Sequence, residues 1–214
     1  ADVDTDDLIP TAIIVEQASG DSHTKAFDSL EEAVAAAASG QTVKLLKDVE
    51  YTTATCFDIA KTLTLDLNGH SINALANGGH LEATHFIRVE DQGRLTIQDS
   101  SEAKSGSITA SYHAYSALLV VEVMSGGTLT MEGGKLQNAG GSETNYGSET
   151  VYVREGGTFN LNGGTIHSEQ ITAKKRVYPV YNKGTVKVNG GSITSTGTDC
   201  GIVNVGGTLT INAG

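Results

Sequence analysis

Apolar and polar residues alternate through this chain in short runs that return at a regular interval. One unit, Thr, apolar, polar, apolar, polar, begins at Thr42 (TVKLL), Thr62 (TLTLD), Arg94 (RLTIQ), Thr128 (TLTME), Thr158 (TFNLN), Thr185 (TVKVN) and Thr208 (TLTIN). Successive starts lie 20, 32, 34, 30, 27 and 23 residues apart, the spacing of a stacked-repeat protein. Aligning the units puts Val43, Leu63, Leu95, Leu129, Phe159, Val186 and Leu209 in one inward column and Leu45, Leu65, Ile97, Met131, Leu161, Val188 and Ile211 in a second. Lys44, Thr64, Thr96, Thr130, Asn160, Lys187 and Thr210 fall between them and face water, because strand side chains alternate.

A further apolar ladder, five residues before each start, is Phe57, Val89, Val123, Val153, Val180 and Val203, and a shorter one is Ile72, Ile108, Leu136, Ile166 and Ile193. Three short strands per turn, with glycines at the corners, predict an all-β fold: a single-stranded parallel β-helix of about seven rungs. Right-handedness follows from the bias of parallel crossovers. Residues 1–26 form an N-terminal tail with an edge strand, and 27–214 form the β-helix domain. Within 27–39 the spacing turns helical, with Phe27, Leu30, Val34 and Ala37 on one face, Asp28 or Ser29 as N-cap and Gly40 as the stop. This helix is expected to cap the N-terminal end of the coil. The last residues, TLTINAG, are a half-finished turn, which suggests a chain cut from a longer protein with further domains, or a covering partner.

The strings TLTLDLNGHSI, GGTLTMEGG, GGTFNLNGG and GTVKVNGGSIT resemble the right-handed β-helix modules of pectin-lyase-like folds, especially those of large surface proteins of Gram-positive bacteria. The resemblance covers about residues 27–214. It implies an extracellular or cell-surface bacterial protein of adhesin-like or stalk type, and speaks to fold far more than to activity.

Charge and composition narrow the partners. The formal net charge of -11 disfavours nucleic acid and anionic membrane surfaces, and no apolar run is long enough to span a bilayer. Five coil steps of about 4.8 Å separate Cys56 from Cys200, roughly 24 Å against the 7 Å that a disulfide tolerates, so two free, buried thiols are expected.

Candidate chemistry sits where the repeat is irregular. Insertions at 73–85, 109–117, 138–150 and 168–177 stack at one corner and make one face. They carry His80, His85, Tyr112, His113, Tyr115, Tyr146 and Lys175, with Tyr178 and Tyr181 close by. Tyrosine beside Asn, His and Ser suits a glycan, and a host or bacterial surface protein is the other ligand considered; rings that merely cover the coil edge are the structural alternative. The string HLEATH, from His80 to His85, lacks the spacing of a zinc helix. Asp2, Asp4, Asp6 and Asp7 lack the Gly and Glu of an EF-hand, so no metal or cofactor is assigned, with calcium the one ion kept open.

The enzyme alternative is a polysaccharide lyase or glycoside hydrolase that uses Asp66, Asp91, Asp99 and Arg94. Arg88 and Glu122 share an outward column and read as a surface ion pair. Asp66, Gln98, Glu132, Asn162, Asn189 and Asn212 share another, whose last three members read as an asparagine ladder. The favoured reading is a non-catalytic module that presents its corner loops to a ligand; a plain structural spacer is the third.

Overall fold

The computed structural model describes residues 9–18, 21–52, 55–75, 85–111, 119–139, 148–169, 177–196 and 200–213. They form an all-β parallel solenoid of the right-handed type, built from three sheets. In chain order along the stack, the first sheet contains β3 (Thr42–Leu45), β6 (Thr62–Asp66), β9 (Arg94–Gln98), β12 (Thr128–Met131), β15 (Thr158–Leu161), β18 (Thr185–Val188) and β21 (Thr208–Ile211). The second contains β4 (Val49–Tyr51), β7 (Ser71–Leu75), β10 (Ser107–Ser111), β13 (Lys135–Asn138), β16 (Thr165–Ser168) and β19 (Ser192–Ser195). The third contains β5 (Phe57–Ile59), β8 (His85–Val89), β11 (Leu119–Val123), β14 (Ser148–Val153), β17 (Val177–Asn182) and β20 (Ile202–Asn204).

Alternation within each strand explains why the chain folds this way. In β12, β15 and β13, successive residues switch between buried and half-buried, so each strand gives one face to a common core. Leu63, Leu95, Leu129, Phe159, Val186 and Leu209 stand in consecutive register, as do Leu65, Ile97, Met131, Leu161, Val188 and Ile211. The second-sheet ladder of Ile72, Ile108, Leu136, Ile166 and Ile193 is likewise continuous.

Three stretches of register differ from the columns aligned by eye. Val43 pairs with Leu65 and Lys44 with Asp66, so β3 is displaced by two residues from the expected match. Phe57 pairs with Ile87, again two residues off. A two-residue slip keeps every apolar residue on the same face, so the core does not resist it. At the far end Val180 pairs with Val151, and Val203 stands opposite Tyr181 in the outward column. Asn182 occupies the fully buried place that follows Val153. Its Oδ1 accepts from Gly184 N at 2.9 Å, so a side chain closes a corner that backbone closes one coil below, where Gly157 N donates to Arg154 O.

The N-terminal end adds an antiparallel hairpin to the first sheet: β1 (Ala12–Ala18) pairs with β3 and with β2 (Asp21–Phe27). Helix α1 (Leu30–Ala36) follows, with Ser29 as N-cap and Leu30 and Ala33 buried. It stops at Ala36, short of Gly40. Lys61 Nζ donates to the carbonyls of Val34, Ala35 and Ala37 and satisfies its open C-terminus. Leu30 and Val34 meet Phe57, Leu63, Ile72 and Phe86 around a small apolar cavity.

Both cysteines are free, and both are exposed, which corrects the expectation of buried thiols. Cys56 immediately precedes Phe57, and strand alternation turns it outward when Phe57 turns in.

Candidate functional site

The four expected insertions each connect the end of a second-sheet strand to the start of a third-sheet strand. His80, Tyr112, His113, Tyr115, Tyr146 and Lys175 lie outside the described residues. His85, Tyr178 and Tyr181 are described, and all three belong to the third sheet. The structure therefore carries the candidate face from the corner onto the exterior of that sheet.

Two rows of side chains run across it. Register places Asp58, Arg88, Glu122, Tyr152 and Tyr181 in one row, and His85, Leu119, Glu149 and Tyr178 in the other. Tyr152 and Tyr181 stack with ring centroids 5.1 Å apart and planes 24° apart, close to the spacing of successive coils. Tyr178 leans on Tyr181 at 6.2 Å. The Arg154 guanidinium lies 4.1 Å from the Tyr152 ring centre, and Lys183 Nζ 6.0 Å from that of Tyr181. The rings thus spend faces on one another and on cations.

Glu122 corrects the reading of a surface ion pair. Its side chain is only 3% exposed and is held from two sides, by Arg88 Nε at 2.9 Å and by Arg154 Nε at 2.7 Å. Burial pushes its pKa up, but the hydrogen bonds and charges of Arg154 and Arg88 outweigh that and hold it below the ordinary glutamate value. His85 is buried beside it, with Nε2 3.2 Å from Asp58 Oδ1 and Nδ1 3.9 Å from Glu122 Oε2; among the described residues Nδ1 has no hydrogen-bond partner. Glu149, one strand on, shows the opposite shift: burial raises its pKa to about 7 against a weaker pull from Arg154.

Asp66 and Asp99, two of the enzyme alternative's residues, are buried turn acceptors. Asp66 Oδ1 accepts from Asn68 N at 3.0 Å and Ser100 N at 2.9 Å, and Oδ2 from Gln98 Nε2 at 3.3 Å. Asp99 Oδ1 accepts from Gly69 N, Ser101 N and Ser101 Oγ, and Oδ2 from Gly106 N at 2.6 Å. Burial raises its pKa, and these hydrogen bonds outweigh burial and lower it. Asp91 is exposed beside Gly126, whose added Cβ would meet Asp91 Oδ1 at 2.0 Å, and exposed Arg94 reaches Thr128 Oγ1 at 3.4 Å. Among the described residues no group of three His, Cys, Asp or Glu side chains is arranged to hold a metal ion.

Tyr152, Arg154 and Glu149 were not singled out from the sequence. Their signal was present: VEV, VYV and VYN are successive third-sheet strands, and matching their outward members brings Glu122, Tyr152 and Tyr181 into line. Comparison with protein-family models, with curated proteins and with solved structures gave no match.

Proposed function

We propose that this chain is a non-catalytic β-helix module, adhesin-like or stalk-like, from a secreted or cell-surface bacterial protein, and that the third-sheet exterior binds a glycan. The carrying observation is the gathering of Tyr152, Tyr178 and Tyr181 with Arg154 and Lys183 on the exterior of one sheet. Tyr152 is buried and backs the stack, while the half-buried Tyr178 and Tyr181 offer the ring edges and surface they leave uncovered, with exposed Lys183 as a donor beside them, the combination that sugar C–H groups and hydroxyls require. The second sheet's exterior carries polar pairs that satisfy each other, such as Gln137 with Glu169 at 2.6 Å and His167 with Thr194 at 2.8 Å.

The fine architecture belongs to the same proposal: seven coils, α1 as a cap on the first, and kinship with pectin-lyase-like surface modules. The hydrogen bonds that occupy Asp66 and Asp99 favour binding over the lyase or hydrolase alternative. A glycan array probed with the purified chain tests the reading, with a Tyr178→Ala, Tyr181→Ala variant and Lys187→Ala on the first sheet as control. Selective binding, lost in the tyrosine variant and kept in the control, is expected. Silence of the array, or binding that survives loss of both tyrosines, refutes it.

A further inference from the structure

Among the described residues, Nδ1 of His85 is the buried side-chain nitrogen that finds no hydrogen-bond partner. Buried polar groups are normally paired, so its surroundings call for an account. The side chain is 7% exposed at the start of β8 and stands between two carboxylates, with Nε2 3.2 Å from Asp58 Oδ1 on β5 and Nδ1 3.9 Å from Glu122 Oε2 on β11. An ionised carboxylate accepts hydrogen bonds and donates none. A neutral imidazole has a single N–H, so either tautomer turns a bare nitrogen lone pair towards one of the two anions. Only the imidazolium form offers N–H to both.

We propose that His85 is a proton-operated clasp in the third sheet: proton uptake at Nδ1 closes an ion pair onto Glu122 while Nε2–H keeps Asp58, and loss of that proton opens the Glu122 side. The clasp spans β5, β8 and β11, three neighbouring strands. It tightens the sheet that carries Tyr152 and Tyr181 on its next two strands, and it is independent of what that face binds.

The charges around the ring set the sign. Asp58 faces it from β5 and Glu122 from β11; β8 itself brings Arg88, which donates to Glu122 at 2.9 Å and lies 3.9 Å from Glu90. Arg154, just after β14, reaches Glu122 from the far side. Burial and the two guanidinium groups oppose a further cation, whereas the two carboxylates favour it. Glu122 has room for it, because Oε1 serves Arg154, Oε2 serves Arg88, and each carboxylate oxygen can accept a second hydrogen bond. Leu119, paired with His85 on β11, brings no side-chain acceptor that competes. The contribution of the clasp to stability is therefore full at acidic pH, where both ring nitrogens carry protons, and is lost as pH rises and Nδ1 gives its proton up.

Nitrogen-15 NMR of the imidazole rings, followed on the whole chain across about pH 5 to 9, reads the clasp directly. The His85 signals are those missing from His85→Gln. At the alkaline end Nε2 is expected to be protonated and Nδ1 bare, with uptake at Nδ1 as pH falls. Asp58→Asn and Glu122→Gln each remove one anion and should lower the midpoint of that uptake, Glu122→Gln by about one pH unit, or roughly tenfold in proton affinity. His167, which bonds Thr194 on the second sheet, should keep its midpoint in both variants. Urea denaturation gives a second reading: the gap between wild type and His85→Gln should widen as pH falls, and Glu149, present in both chains, cancels. A His85 midpoint that Glu122→Gln leaves unmoved, a ring that does not titrate, a proton on Nδ1 at the alkaline end, or a urea gap that is constant with pH overturns the clasp. Should Glu122→Gln fail to fold, Asp58→Asn, which alters an exposed side chain, and the urea gap decide.

Discussion

Asp99 and Glu122 are buried and Glu149 is half-buried, yet their protons behave differently because their partners differ. Asp99 has backbone and hydroxyl donors around both oxygens, and Glu122 has two guanidinium groups. Both pKa values are lowered, so the stability these groups contribute is present above the ordinary carboxylate range and is lost as pH falls below about 4. Glu149 has the reverse sign: its contribution is full below about 4.5 and is lost as pH rises through about 7. Urea midpoints measured against pH are therefore expected to peak near pH 5, and Glu149→Gln should flatten the decline on the alkaline side. Asp99→Asn keeps the shape but cannot accept from Gly106 N with its amide nitrogen, so it should lower stability by about 1–3 kcal/mol in urea denaturation at pH 7. Glu122→Gln removes the anion between Arg88 and Arg154 and leaves Arg88 only Glu90 at 3.9 Å; because the two arginine side chains are 28% and 45% exposed, about 2 kcal/mol is expected rather than the full cost of a buried unpaired charge.

At the scale of the strand and the corner, the stack depends on backbones that pass closely. Gly164 has φ +82°, and a Cβ there would lie 2.5 Å from Gly134 O of the coil below. Gly164→Ala should cost roughly 1–3 kcal/mol, read as a shift in thermal midpoint. Beside it runs the amide ladder: Asn212 donates to Asn189 at 2.7 Å, Asn189 to Asn162 at 2.8 Å, and Asn162 to Glu132 at 2.7 Å. Asn189→Ala breaks two of these exposed bonds and should cost about 1 kcal/mol in the same measurement. The ladder was legible because Asn, Asn and Asn recur at one offset from each Thr, and the inward columns were legible because apolar side chains recur at period two. Register at β3, β5 and β17 was not legible, since a slip of two residues leaves that period unchanged. The hairpin of β1 and β2 escaped because only one of its strands has an apolar run, and antiparallel pairing there owes nothing to the repeat.

On the scale of the whole molecule, the candidate face is a property of the stack and of no single coil. Tyr152 and Tyr181 are separated by a coil's worth of chain and meet only because parallel strands hold them at one level. The tyrosine content of the face was anticipated, since Tyr178 and Tyr181 border the corner loops. Its buried charge network was not, because the burial of Glu122 follows from a second arginine, Arg154, supplied by the next strand. The two exposed cysteines allow the stack to be measured without altering the chain: Cys56 precedes β5 and Cys200 precedes β20, the two ends of the third sheet. Spin labels on these thiols should give, by pulsed electron resonance, a single narrow distance distribution near the roughly 24 Å set by five inter-strand steps of about 4.8 Å, widened only by the label arms. A broad distribution, or a mean far from that span, would contradict a continuous parallel stack and with it the shared face on which the functional reading depends.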